Sequence, residues 1–217
     1  MSEQKKFDKK QLDYSIYLVT DEECLKGRPL LRCVEEALQA GVTLVQYRSK
    51  FKDGGPMYQE ALALKSLCDS YDVPLIINDR VDVALAVGAA GVHVGQDDLP
   101  CNIVRKLVGS QFIIGVSAHN PEEARKAMED GADYLGCGAV FGTGTKAGVA
   151  KLGLEKLHSI RAAVSIPIVG IGGVKADNYG EVLATGADGA AIISGILSVE
   201  NIGAEVGKFV QIRSSFK

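Results

Sequence analysis

Residues 184–192 read Ala-Thr-Gly-Ala-Asp-Gly-Ala-Ala-Ile, and the phrase returns in altered form as QAGVTLV at 39–45, AVGAAGVHV at 86–94 and EDGADYLG at 129–136. Each copy follows a helical pattern. Each places a glycine just past the helix, where a left-handed C-cap conformation favours it. Each then enters a short apolar run rich in branched residues. Recurrence of one helix-end, glycine, strand phrase is the weak internal repeat that a closed ring of equivalent units would leave in a sequence.

The rest of the chain keeps the same alternation. Strand-like runs fall at 14–20, 43–47, 75–77, 91–94, 112–116, 134–137, 167–170 and 190–193. Helical patterns follow at 30–40, 57–71, 81–87, after Pro100, after the N-cap pair Asn120-Pro121, at 154–163, at 176–185 and at the C-terminal end. The strands read as continuous apolar runs, as expected of a parallel sheet buried on both faces. Two α/β architectures accommodate this order: a closed (β/α)8 TIM barrel and a doubly wound open sheet. A dinucleotide-binding open sheet needs GxGxxG after its first strand. Here the first strand runs into Val19-Thr20-Asp21-Glu22, and the nearest glycine-rich match, Gly142 to Ala147, lies far downstream. The count of about eight units favours the barrel, as a single domain over 14–217 with a polar extension over 1–13.

Composition narrows the function. A net charge of −3 provides no global basic field for nucleic acid or acidic lipid. No apolar run is long enough to span a bilayer. The N-terminal stretch, Lys-rich and polar, lacks the apolar segment of a secretory signal. The five cysteines, Cys24, Cys33, Cys68, Cys101 and Cys137, form no CxxC pair, so a reducing cytoplasm is the expected setting. Glycine is in excess, with 25 in 217 residues, which points to many turns or close backbone approaches.

In a barrel the active site lies at the C-terminal ends of the strands, so the residues that follow each apolar run are the candidates. After the second run, Gln46, Arg48 and Lys50 alternate. If the strand persists, period two puts them on one face, a set suited to a polyanion such as a diphosphate. The plain alternative is an edge strand with solvated charges. Asn78 and Asp79 follow the third run; Gln96, Asp97 and Asp98 follow the fourth. Carboxylates at adjacent strand ends repel unless a cation or a shared proton intervenes, and an oxygen-rich site with few protein donors suits Mg2+. Asp97 competes with Asp98 for this role, and either could instead cap the helix near Pro100. Ser117 and His119 follow the fifth run. Thr143, Gly144, Thr145 and Lys146 follow the sixth, Gly172-Gly173 the seventh and Ser194-Gly195 the eighth, together resembling a phosphate cradle; tight strand-to-helix turns would need the same glycines. No Ser-His-Asp set is evident. His93 sits in a strand and reads as structural, and His158 reads as a helix-surface residue.

QYRSK, IINDR, GVHVGQDDLP, GVSAH, GTGTK, VGIGGV and IISGI occur in the order seen in the thiamine-phosphate synthase family, which the chain resembles from about Tyr14 to Leu197. The resemblance implies a (β/α)8 barrel that joins 4-amino-2-methyl-5-hydroxymethylpyrimidine diphosphate to a thiazole phosphate, giving thiamine phosphate and diphosphate. It implies that Gln46, Arg48, Lys50, Asn78, Ser117 and Lys146 bind the pyrimidine substrate, with Arg48, Lys50, Ser117 and Lys146 as the catalytic set. It makes Asp79 and Asp98 the Mg2+ ligands, and it assigns the thiazole phosphate to Thr143, Thr145, Gly173, Ile193 and Ser194. The mechanism it implies is dissociative: diphosphate leaves, a pyrimidine-methylene cation remains, and the thiazole nitrogen attacks it.

One loop departs from the family pattern. The usual form resembles GPVFPTxTK, whereas this chain has Ala139 and Gly142 where the prolines stand. A more flexible loop and weaker thiazole-phosphate binding are expected. Two rivals share the fold: a thiazole tautomerase, which needs neither a diphosphate nor a Mg2+ site, and a catalytically silent binder of thiamine precursors.

Overall fold

The structure is a computed structural model and describes residues 7–142 and 151–216. Eight parallel strands close in sequence order into a barrel: β1 (Ile16–Val19), β2 (Leu44–Tyr47), β3 (Leu75–Asn78), β4 (Gly91–Val94), β5 (Ile113–Ala118), β6 (Tyr134–Gly138), β7 (Ile168–Ile171) and β8 (Gly189–Ile192). The ring closes where β8 pairs with β1, with Ile16 opposite Ala190 and Leu18 opposite Ile192. Helices α1 (Glu22–Leu25), α2 (Leu30–Gln39), α3 (Gly54–Ser70), α4 (Val81–Val87), α5 (Cys101–Val108), α6 (Pro121–Glu129), α7 (Leu154–Ala163), α8 (Ala176–Ala184), α9 (Ser194–Leu197) and α10 (Ile202–Ser214) surround it. The TIM-barrel expectation holds, and the strand runs read from sequence fall within a residue or two of their observed ends.

Alternation along the strands divides the core in two. Tyr17, Val19, Leu44, Ile76, Ile113, Tyr134, Val169 and Ala191 point to the barrel axis and form an inner cluster. Their neighbours Ile16, Leu18, Leu75, Ile77 and Ile114 point outward and pack under the helices. Both faces are apolar because both are covered.

The repeated phrase has a physical meaning. Gly41, Gly88, Gly131 and Gly186 take φ of +110°, +65°, +96° and +86°, ending helices α2, α4, α6 and α8. Two residues on, the chain reaches the floor of the barrel. There the N–H groups of Thr43, Ala90, Asp133 and Asp188 donate to the carbonyls of Ile16, Leu75, Ile114 and Ile168. Asp133 and Asp188 also accept the N–H of Ile114 (2.8 Å) and Ile168 (2.9 Å) on their carboxylates, and the Thr43 hydroxyl oxygen accepts that of Ile16 (3.1 Å). Each phrase thus stops a helix and ties the next strand to its neighbour.

Three sequence expectations change. Strand β2 ends at Tyr47, so Lys50 lies beyond the strand and the one-face argument covers Gln46 alone. The last helical stretch is two helices, α9 and α10, and the short α1 was not anticipated. Finally, the N-terminal extension, read as lying outside the 14–217 domain, is tied to it: Lys9 pairs with Asp133 at 3.0 Å, under the barrel floor. Among the described residues, no helix is long and apolar enough to cross a membrane.

A Cβ on Gly91 would lie 2.3 Å from the Ile113 carbonyl oxygen and 2.8 Å from Ile76 Cδ1. The first of these is backbone and cannot rotate away. Gly91→Ala should therefore cost about 3 kcal/mol, the upper end of overpacking penalties. Gly207→Ala, in α10 with nothing near its Cβ position, should be neutral or stabilise by about 0.5–1 kcal/mol. Urea unfolding of the two variants checks both values.

Candidate active site at the mouth of the barrel

The strand ends converge on a cavity of about 140 Å³ that reaches down the barrel axis. Its apolar wall includes Val19, Val169, Ile171, Ala191 and Ile193. Its polar lining comes from Tyr17, Gln46, Arg48, Asn78, His93, Ser117 and His119, with Gly172 on the far side. Of the residues singled out from sequence, Gln46, Arg48, Asn78, Ser117 and Ile193 thus face one space. Lys50, Asp79, Asp98, Gly173 and Ser194 lie outside the cavity wall, on the loops and turns that follow the strands. Thr143, Thr145 and Lys146 fall outside the described residues.

Gln46 is buried at the end of β2 and donates from Nε2 to the Tyr17 hydroxyl at 2.7 Å. Arg48, one step past the strand, donates from Nη1 to Asp21 Oδ2 at 2.9 Å. Asp21 is 7% exposed and its other oxygen accepts the Cys24 N–H, capping α1. A single carboxylate therefore both starts a helix and fixes the guanidinium. Thr20 adds to the clamp by accepting the Arg48 N–H at 2.9 Å. The next cation, Lys52, is held by Glu22 and Glu60. Lys50 is exposed on the same loop. The sequence signal for this clamp was Thr20-Asp21-Glu22 itself, a hydroxyl and carboxylate N-cap followed by an acidic first turn.

Asp79 follows β3 with φ of +60°, a left-handed conformation that few residues other than Gly, Asn and Asp adopt. Its N–H donates to the His93 carbonyl at 2.8 Å. Lost hydration on its inner side, followed by the charge and hydrogen bond of Asp98, pushes its carboxyl up from 3.8 to about 6; Arg48 opposes the shift. Asp98 also accepts the Gly95 N–H at 2.7 Å, tightening the turn after β4. Helix α5 begins behind Pro100 without a side-chain cap, so neither Asp97 nor Asp98 caps it. Asp98 is turned toward Asp79, while Asp97 is exposed. Among the described residues no three His, Cys, Asp or Glu side chains converge on a point. The pair can supply a cation with two carboxylates at most, leaving its other positions to water or phosphate oxygens.

His93, read as structural, lines the cavity as well. It is buried in β4, with Nδ1 3.0 Å from the Tyr134 hydroxyl and Nε2 3.1 Å from Ser117 Oγ. His119 also reaches the cavity, but Nδ1 and its own N–H both point to Glu123 Oε2 (2.9 and 2.8 Å), folding it onto the start of α6. His158 is exposed on α7, as expected of a helix-surface residue, with Nδ1 3.1 Å from the Thr185 carbonyl oxygen. Opposite Arg48, Gly172 and Gly173 take φ of +96° and +68°. A Cβ on Gly173 would lie 2.3 Å from the Gly142 carbonyl, and one on Gly195 2.4 Å from that of Val174. The turns after β6, β7 and β8 are therefore in mutual contact, and no side chain larger than hydrogen fits between them. Ala139 and Gly142, where the family pattern has prolines, both belong to this contact.

Comparison with known proteins agrees with the geometry. A family model described as thiamine monophosphate synthase matches residues 16–196. The thiamine-phosphate synthase of Clostridium acetobutylicum is 50% identical over 89% of this chain and 92% of its own length. That of Alkaliphilus oremlandii is 52% identical over 88% and 91%. The solved structure of thiamine phosphate pyrophosphorylase from Pyrococcus furiosus is 38% identical and superposes with a TM-score of 0.87, covering 94% of this chain and 98% of that one. With strand order, mouth residues and near full-length likeness in agreement, the chain belongs to the thiamine monophosphate synthase family.

Proposed function

We propose that this chain condenses 4-amino-2-methyl-5-hydroxymethylpyrimidine diphosphate with the phosphate of 4-methyl-5-(2-hydroxyethyl)thiazole, forming thiamine phosphate and releasing diphosphate. The observation that carries this reading is the division of the site. Polar, uncharged groups line the depth of the cavity, and the ionic groups stand at its rim. A cavity of about 140 Å³ has room for about five waters, which suits one substituted heteroaromatic ring. The charged end of such a substrate then lies at the mouth, near Arg48, Lys50 and the Asp79–Asp98 pair.

The two carboxylates fit a magnesium ion, because burial and the neighbouring Asp98 raise the cost of ionising Asp79 and a cation between them removes that cost. Bound there, Mg2+ would neutralise charge on the departing diphosphate. Arg48, held rigid by Asp21, meets the same developing charge with a forked donor pair, and Lys50 and Lys146 add point charges. Gln46, Asn78 and Ser117 orient the ring. Val19, Val169, Ile171 and Ile193 keep water from the methylene carbon once the diphosphate has left. No carboxylate lines the cavity among the described residues, and none is required, because the nucleophile is a neutral ring nitrogen. Thr143, Thr145, Gly173 and Ser194 would take the thiazole phosphate. A cytoplasmic setting belongs to this proposal.

One observation favours a different activity. His119 and Glu123 form an oriented imidazole–carboxylate pair at the cavity, which could move a proton in a thiazole isomerisation. The assay separates the two. Purified protein with both substrates and Mg2+ should yield thiamine phosphate and diphosphate. No product with or without Mg2+ would overturn the synthase reading, and isomerised thiazole in its place would establish the second.

Asp79→Asn tests the metal pair by two independent readouts. Turnover should fall at least about 100-fold, as for loss of a strong transition-state electrostatic contact. The stability effect runs the other way. Because the folded pKa of Asp79 is raised to about 6, the native state holds this proton more tightly than the unfolded chain. The stability this group contributes is therefore present at low pH and is lost as pH rises through about 6. Without metal at neutral pH, the asparagine variant should unfold at higher urea than wild type, and the gap should close in acid. Millimolar Mg2+ should raise the wild-type midpoint and leave the variant's unchanged. A wild-type midpoint indifferent to Mg2+ would remove the metal assignment.

A further inference from the structure

A line of hydrogen bonds crosses the barrel beneath the cavity. It runs from Gln46 Nε2 on β2 to the Tyr17 hydroxyl on β1 (2.7 Å) and on to the Tyr134 hydroxyl on β6 (2.7 Å). From there it continues to His93 Nδ1 on β4 (3.0 Å) and from His93 Nε2 to Ser117 Oγ on β5 (3.1 Å). Both ends, Gln46 and Ser117, line the cavity. The middle members are buried, with Tyr17 1% and Tyr134 0% exposed.

We propose that Gln46, Tyr17, Tyr134 and His93 form a one-way relay that makes the Ser117 hydroxyl a fixed hydrogen-bond donor into the cavity. The direction follows from valence. An amide N–H can only donate, so Tyr17 accepts from Gln46 and must pass its own single hydrogen onward. Tyr134 is its partner, accepts it, and passes its hydrogen to His93. His93 Nδ1 is therefore the acceptor nitrogen, and the neutral ring carries its hydrogen on Nε2, where it donates to Ser117 Oγ. Among the described residues Ser117 Oγ has no other side-chain partner, so its hydrogen points into the cavity. Gln46, having spent one N–H, offers a ligand its carbonyl oxygen. The two ends together select a ring edge with an acceptor nitrogen at Ser117 and a donor at Gln46. Desolvation holds both phenols far above their ordinary pKa, so each keeps the hydrogen it must pass.

The barrel makes room for this arrangement. A Cβ on Gly115 would lie 2.2 Å from Tyr134 Cζ and 2.4 Å from His93 Nδ1, and one on Gly136 3.0 Å from His93 Cε1. Two strand positions are emptied so that the imidazole and the phenol can meet. Tyr17, Tyr134 and His93 are in this sense positioning residues, acting on the ligand through Ser117 and Gln46.

The identity of the ligand rests on the synthase reading, but the direction of the relay does not. The first test therefore uses the ligand-free full chain. A long-range 15N–1H imidazole spectrum at neutral pH, with His93 assigned by loss of its signals in His93→Gln, should show Nε2 protonated and Nδ1 bare. An Nδ1–H tautomer or an imidazolium would overturn the relay, whatever the enzyme does. The second test is kinetic. Tyr134→Phe should lower kcat/KM for the pyrimidine substrate about 10-fold, the effect of one lost oriented hydrogen bond. The KM for the thiazole phosphate should stay within about twofold, since that interaction is untouched. Combined with Ser117→Ala, Tyr134→Phe should add little, because the relay acts through that hydroxyl; fully additive losses would overturn the proposal. A glutamine at 93 places an amide N–H near the Nε2 position, whereas asparagine reaches only the Nδ1 position. His93→Gln should accordingly retain several-fold more activity than His93→Asn, and equal losses would count against the relay. If wild type makes no product, the synthase reading fails and the spectrum still decides the relay.

Discussion

The ladder between β8 and β1 is the contact on which the rest of the molecule depends. A parallel sheet of eight strands left open would expose two edges of unpaired N–H and C=O groups. Here Ile16, Tyr17 and Leu18 pair with Ala190, Ala191 and Ile192, and the edges vanish. The approach is close. A Cβ on Gly189 would sit 2.0 Å from the Tyr14 carbonyl oxygen and 2.5 Å from the Ser15 Cα, so only glycine allows the backbones to meet. Closure is also what gives the inward residues a common centre. Tyr17 and Tyr134, 117 positions apart in sequence, touch through their hydroxyls only because the ring is complete.

Closure explains why the fold was legible and where legibility stopped. A helix-ending glycine, two linking residues and an apolar run are local features, and local features repeat visibly. The residues after each strand could be nominated because a barrel brings all strand ends together, and Gln46, Arg48, Asn78 and Ser117 do meet. What sequence could not give was pairing across the axis. Tyr17 and Tyr134 read as apolar core, and His93 as a buried structural group, because nothing local marks a phenol or imidazole whose partner lies on another strand. Asp21 was passed over for a related reason: as a helix cap it has a sufficient local role, and its second role as the Arg48 counter-ion is tertiary. Lys50 shows the opposite error. Its alternate spacing implied a shared strand face, but the strand ends at Tyr47 and the period no longer applies.

The ionic groups at the mouth are not treated alike. Arg48 and Lys52 each have carboxylate partners, Asp21 for the first and Glu22 and Glu60 for the second. Asp79 and Asp98 face each other instead, with one carboxyl pushed up to about 6. Pairing fixes a cation's geometry and leaves its remaining donors directed outward. Opposing two carboxylates leaves a local excess of negative charge that a divalent ion would relieve. While ionised, the carboxylate pair costs stability, first through burial and then through repulsion. On the proposed reading, a divalent cation held between the carboxylates would relieve that cost.

The polar line inside the barrel supports the same view from a different term. Carrying Gln46, His93 and two phenols into an otherwise apolar layer is costly unless every donor and acceptor is matched. Aliphatic residues of similar volume would have filled that layer with no such condition. The chain meets the condition and adds to it two glycines, at 115 and 136, that give up side-chain packing and backbone entropy within strands. Neither glycine serves a turn, and neither takes a positive φ. Their contribution is the space they leave around Tyr134 and His93. A layer that sacrifices packing to hold a string of single-hydrogen donors in register is best understood by its two ends. Both ends open on the cavity, and only there does the orientation of a hydroxyl have a use.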